Sequence, residues 1–196
     1  MTKVSLEKDN TYIIIGLFAP VLFYLYGNIS IILILIYYAY NSKDKIEIKK
    51  RYIKITAQTI SIFIPIIFFL SFISKLILFE FKEQKVVLGL KKNAINELHI
   101  SVFIICIIAP IFEEIVFRGF FYKAIKKFVP YVLSSIIVAF IFALIHSTIL
   151  SFTILFVVSL LFTWIYERTS SIIYPILAHS TFNLLMLTLI LLENHV

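Results

Sequence analysis

The sequence predicts an all-α, polytopic transmembrane bundle of six or seven helices around a polar intramembrane cavity. Three observations lead there. First, 61% of the 196 residues are hydrophobic and the mean hydropathy is +1.02, whereas a soluble domain is nearer half apolar. The excess falls in runs long enough to cross a bilayer. Second, 18 Lys and Arg against 11 Asp and Glu give a net charge of +7, and the basic residues cluster between the apolar runs. That arrangement suits a membrane surface and not nucleic acid. Third, the apolar runs are interrupted by a few ionisable residues. Between Glu97 and Glu167 the only acidic side chains are Glu113 and Glu114.

Residues 12–40 are apolar except around Gly27 and Asn28. A straight helix of that length would reach roughly 44 Å, against about 30 Å of hydrocarbon, so the run is one tilted, kinked helix or a hairpin of two short ones. Residues 41–54, with six basic and two acidic side chains, read as a cytoplasmic loop. Residues 55–79 form a span with Pro65 inside it, and 82–97 a polar loop of mixed charge. Residues 98–121 are the next span if the helix runs on through Glu113, Glu114 and Arg118. The purely apolar part, 100–112, reaches only about 20 Å, so the charges lie in the membrane or the element is re-entrant. Residues 122–130 suit an interfacial segment with snorkelling lysines. Residues 131–166 are long enough to cross twice, with a break near His146, Ser147 and Thr148, and after a short loop at 167–171 the last span is 172–192.

The loops 41–54, 122–130 and 167–171 fall on one side and hold ten basic residues, against four in 82–97. The positive-inside rule puts that side in the cytoplasm. The single cysteine, Cys106, permits no internal disulfide and no C-x-x-C metal site. The N-terminus lacks a strongly basic start and a small-residue cleavage site, so no signal peptide is expected. The chain divides into motif-free N-terminal helices and loops (1–97) and a membrane core (98–196), with neither repeats nor a soluble domain.

Ionisable residues inside a membrane segment cost several kcal/mol and point to function. Glu114 and Arg118 lie four apart on one helix face and can pair. Glu113, rotated by about 100°, faces elsewhere and stays free for chemistry. Phe142 precedes His146 by one turn and can wall its imidazole. His179 and Asn183 share a face of the last span and need partners in lipid. The plain alternatives are an interfacial salt bridge ending the helix for Glu114 and Arg118, a turn or packed-core residue for His146, and interhelical glue for His179 and Asn183. Glu113 and His179 each lie about 12 Å from the basic end of their helices, and His146 about 22 Å, a mismatch that helix tilt can absorb. A carboxylate, two imidazoles and a carboxamide around a cavity suit hydrolysis. Glu113 would be the general base, a histidine would orient the water, and Asn183 would donate to the oxyanion. Glu113, His146 and His179 also match the ligand set of a catalytic zinc. A divalent metal and a metal-free glutamate mechanism therefore both stand open. H-E-x-x-H and G-x-S-x-G are absent.

In order along the chain, EEIVFR (113–118), FALIH (142–146) and HSTFN (179–183) resemble the motifs E-E-x-x-x-R, F-x-x-x-H and H-x-x-x-N/D of the CPBP (CAAX prenyl protease and bacteriocin-processing, or Abi) family of intramembrane proteases. The resemblance covers roughly 98–190. It implies that Glu113 is the catalytic glutamate, Glu114 a second essential carboxylate, and Arg118 its structural partner. His146 would position the water, and His179 and Asn183 would complete the site and stabilise the oxyanion. The Ile, Lys, Phe and Tyr bias suggests an AT-rich genome and so a multi-pass protein of a bacterial cell membrane, and the depth of Glu113 and His179 from the basic side puts the opening of the site toward the cytoplasm. Membrane lipid would surround it, and a peptide or C-terminal protein segment would be its substrate, in CAAX-type processing or bacteriocin self-immunity. Two other readings compete: a non-catalytic membrane immunity or binding protein, and a proton-coupled transporter.

Overall fold

The structure is a computed structural model that describes residues 14, 15, 18, 38, 48–77, 95–146 and 149–193. Among the described residues there is no strand and there are five helices. They are α1 (Lys50–Ile77), α2 (95–125), α3 (Tyr131–Ile145), α4 (Ile149–Thr169) and α5 (Ile173–Glu193). The expected total of six or seven included segments in 12–40, nearly all of which lie outside the described residues. Three helices are long and apolar enough to cross a membrane, over Lys50–Leu70, His99–Ile125 and Phe152–Thr169. The apolar parts of α3 and α5, Tyr131–Ile145 and Ile173–Leu189, are shorter.

The side chains are sorted as a lipid solvent requires. On α1, Ile62, Ile66, Phe68, Phe69 and Phe72 are exposed while Thr56 and Thr59 are buried. Ile100, Phe103, Ile104 and Ile107 on α2 and Val132, Ile136, Phe140 and Leu144 on α3 form further exposed apolar faces. In water such faces would mark binding surfaces; in hydrocarbon they cost nothing, and polar groups seek the protein interior.

Two boundaries differ from expectation. α1 begins at Lys50, not after residue 54, because Lys50, Arg51 and Lys54 are good helix formers whose charged heads remain exposed. α2 does not stop at Phe121. Tyr122, Ala124 and Ile125 continue it as buried residues, and the polar turn shrinks to 126–130. Pro130, extended at ψ 158°, then sets the start of α3. α3 ends at Ile145 and α4 begins at Ile149, on either side of the break the sequence indicates, of which Ser147 and Thr148 lie outside the described residues.

α4 is the central element and touches α1, α3 and α5. The α4–α5 turn is closed by Ser170 in the left-handed region at φ 50°, a conformation glycine usually supplies after a helix end. At the same end the backbone N–H of Lys49 donates to the Tyr174 hydroxyl at 2.7 Å, tying the start of α1 to the start of α5. Lys126 pairs with Glu167 at 2.6 Å, tying the end of α2 to the end of α4. One end of the bundle thus gathers Lys49, Lys50, Arg51, Lys54, Lys123, Lys126, Lys127 and Arg168.

Candidate active site

α2 is not one uniform α-helix. It alternates: α over Ile95–Phe103, π over Ile104–Ile108, α over Ala109–Glu114, π over Ile115–Tyr122, α over Lys123–Ile125. The helix runs unbroken through Glu113, Glu114 and Arg118, so the re-entrant alternative is not what forms. The wider π turns shift which residues share a face, and such segments recur at functional sites. Both glutamates sit at the end of the short α stretch between two of them.

Glu114 is completely buried. Its Oε1 accepts from Arg118 Nη1 at 3.0 Å and lies 2.9 Å from His179 Nδ1. Arg118, equally buried, donates through Nη2 to the Ser159 carbonyl at 2.8 Å and to the Ser159 hydroxyl at 2.6 Å. Its guanidinium lies between the Phe142 and Phe162 rings, 5.2 and 5.5 Å from their centroids. A buried ion pair is tolerable only when hydrogen bonds occupy what the pair leaves over. Ser159 and His179 supply part of them from α4 and α5, while Glu114 Oε2 and Arg118 Nε remain buried without a partner among the described residues. Sequence reasoning missed Ser159. The available signal was a small polar residue in an otherwise apolar span, which in lipid serves interhelical hydrogen bonding. Phe162, stacked on His179 with centroids 4.8 Å apart, was missed as well.

Glu113 faces a different company. Its Oε2 lies 3.5 Å from His146 Nε2 and 3.8 Å from His179 Nε2, and its side chain retains 13% exposure against none for Glu114. The imidazole tautomers follow from their other nitrogens. His146 Nδ1 lies 2.7 Å from the Phe142 carbonyl, which can only accept, so Nδ1 carries the hydrogen. His179 Nδ1 faces the Glu114 carboxylate and donates likewise. In the neutral imidazoles both Nε2 lone pairs are therefore turned to the Glu113 carboxylate. Phe142 walls the cluster, with its ring centroid 4.5 Å from that of His146 and 6.0 Å from that of His179. Four further helical residues beyond Phe121 carry Glu113 about 6 Å further from the basic end, nearer the depth expected of His146 and beyond that expected of His179, so helix tilt makes up the remainder.

Asn183 stands apart from this focus: its Nδ2 donates to the Ile105 carbonyl at 2.9 Å. Of the sequence-predicted residues, Glu113, Glu114, Arg118, Phe142, His146 and His179 are thus brought together, and Asn183 contacts the backbone of α2.

Three inward-facing acceptors have the donor chemistry of a zinc site, and both histidines have the outer partners that ligating imidazoles use. The two separations, 3.5 and 3.8 Å, are somewhat wider than the roughly 3.3 Å between ligands held at about 2.0–2.1 Å in a tetrahedron. Among the described residues no group of three or more His, Cys, Asp and Glu is arranged to hold a metal ion.

Comparison with known proteins agrees with the motifs. No curated protein and no solved structure matches the chain. Residues 95–185 match the family model described as "Type II CAAX prenyl endopeptidase Rce1-like". The matched segment contains all three motifs and every residue of the Glu113 and Glu114 clusters, and a family so described is one of proteases. Over residues 95–185, the chain is thus similar to the Rce1-like family of type II CAAX prenyl endopeptidases.

Proposed function

We propose that the protein is an intramembrane endopeptidase that hydrolyses a peptide bond with water activated by Glu113. The observation that supports this most is the convergence of Glu113 Oε2, His146 Nε2 and His179 Nε2, with both Nδ1 atoms committed elsewhere. A water held there donates one O–H to Glu113 and the other to an imidazole, leaving its lone pair for the scissile carbonyl carbon. As the C–O bond forms, the water proton passes to the Glu113 carboxylate. As the C–N bond breaks, Glu113 returns that proton to the leaving nitrogen. The Arg118–Glu114–His179 chain holds the His179 ring and its tautomer in place. Each step uses residues of this chain and none passes through a metal.

The substrate class that the family name suggests is a C-terminal segment following a prenylated cysteine. Bacteriocin self-immunity is the other setting, in which the cleaved peptide would carry no prenyl group. The basic end of the bundle supports a cytoplasmic opening by the positive-inside rule. Purified protein incubated in detergent with prenylated and unprenylated peptides in ¹⁸O-water, with and without chelator, tests the reading. The expected result is a product carboxylate carrying ¹⁸O, undiminished by chelation. Absence of cleavage across both peptide classes would favour a non-catalytic binding role, and loss of turnover on chelation would restore the metal.

A further inference from the structure

Pro110 opens a gap in the hydrogen-bond ladder of α2 just ahead of the two glutamates. In the π stretch Ile104–Ile108 the bonds reach back five residues, and the N–H of Ala109 accordingly donates to the Ile104 carbonyl. In the same register the next carbonyl, that of Ile105, would take its hydrogen from residue 110. That residue is proline and has none. The donor four residues on, Ala109, is already committed to Ile104. A backbone carbonyl left open in hydrocarbon has no water to turn to. The Asn183 carboxamide fills the vacancy at 2.9 Å.

We infer that Asn183 is a positioning residue. Its carboxamide holds the proline-opened π turn of α2 and so fixes the angle at which Glu113, three residues beyond Pro110, meets the two imidazoles. α5 grips α2 at two points, His179 on the Glu114 carboxylate and Asn183 on the Ile105 carbonyl. One contact would leave α2 free to pivot; two fix its rotation. The role requires no substrate and differs from oxyanion stabilisation, the task the sequence suggests for this residue. Its consequence for turnover rests on the hydrolytic reading; the contact does not.

A double-mutant cycle separates the two roles. Pro110→Ala gives residue 110 the N–H that Ile105 lacks. Alanine is favourable within a helix, so this variant should fold. Asn183→Leu is then made in both backgrounds. In the proline background it should lower kcat per folded molecule by about 10²-fold, the scale of a misplaced catalytic group, with KM little changed. In the Pro110→Ala background the same loss should shrink by roughly tenfold or more. Reversible unfolding in detergent should show the two substitutions coupled by roughly 3- to 20-fold in the unfolding constant, the range of interhelical hydrogen bonds in membranes. Equal kcat losses in both backgrounds with additive unfolding would overturn the inference and return Asn183 to the oxyanion. If the wild type cleaves no peptide, the hydrolytic reading fails by itself. The unfolding cycle then still decides the latch: coupling upholds it and additivity removes it.

Discussion

Glu113 and Glu114 are chain neighbours placed in opposite surroundings. Around Glu114, charge meets charge: its Oε1 takes a guanidinium N–H and an imidazole N–H, and the guanidinium in turn lies near two phenyl rings and bonds a serine. Around Glu113, acceptors meet acceptors, with two imidazole lone pairs turned to a carboxylate. The first arrangement is closely tied across three helices, although Glu114 Oε2 and Arg118 Nε stay buried without a partner among the described residues. The second holds its carboxylate only at longer range. On the proposed reading, the first pocket holds the structure together and the second does the chemistry. A single residue step on a helix whose turns widen on either side is enough to separate them.

Three substitutions bear on that contrast. The largest effect is expected for Glu113→Gln, which keeps the shape and removes the base: turnover should fall by about 10²–10⁴-fold. Folded yield on size-exclusion chromatography should stay unchanged. Turnover near wild type would end the contrast, because Glu113 would then have no chemical task. Arg118→Ala attacks the other pocket. Stranding a buried carboxylate costs about 3–5 kcal/mol, so the unfolding midpoint in detergent and the yield of inserted protein should both drop. If Arg118→Ala and Glu113→Gln gave equal yields, the two pockets would not differ as described. Ser159→Ala sharpens the picture with the smallest effect. It removes the hydroxyl acceptor of Arg118 but keeps the Ser159 carbonyl, and should cost about 1.5 kcal/mol, the lower end for a hydrogen bond to a charged group. A loss as large as that of Arg118→Ala would mean that the carbonyl bond does not survive alone.

What the sequence could show depended on range. The Glu114–Arg118 pair and the Phe142 wall beside His146 each lie within one helical turn, and spacing alone places them. The break near His146 was visible because Ser147 and Thr148 interrupt a long apolar run. Contacts between helices were less accessible. The carbonyl bound by Asn183 lies 78 residues away, and no periodicity reports a partner at that distance. The π turns left no trace in hydropathy, because an apolar run reads the same at either helical pitch. Pro110 was the available clue, since a proline within a helical span removes one donor and must be compensated. The ends of α1 and α2 were misplaced because lysine and arginine are helix formers as well as loop residues, and composition separates a loop from a charged helix end poorly.

The contacts of Glu114 and Arg118 with later helices also bear on how the protein is made. α2 leaves the ribosome before its partners. Ser159 follows Arg118 by 41 positions and His179 follows Glu114 by 65. A charged residue at the centre of a lone membrane helix costs roughly 2.5–3.5 kcal/mol at insertion, and α2 carries three near its middle. Pairing Glu114 with Arg118 offsets part of that cost at once, because both lie on the same helix. The rest must wait for α4 and α5. During synthesis α2 is therefore expected to linger beside the insertion channel or at its rim until α4 and α5 bring Ser159 and His179 to it.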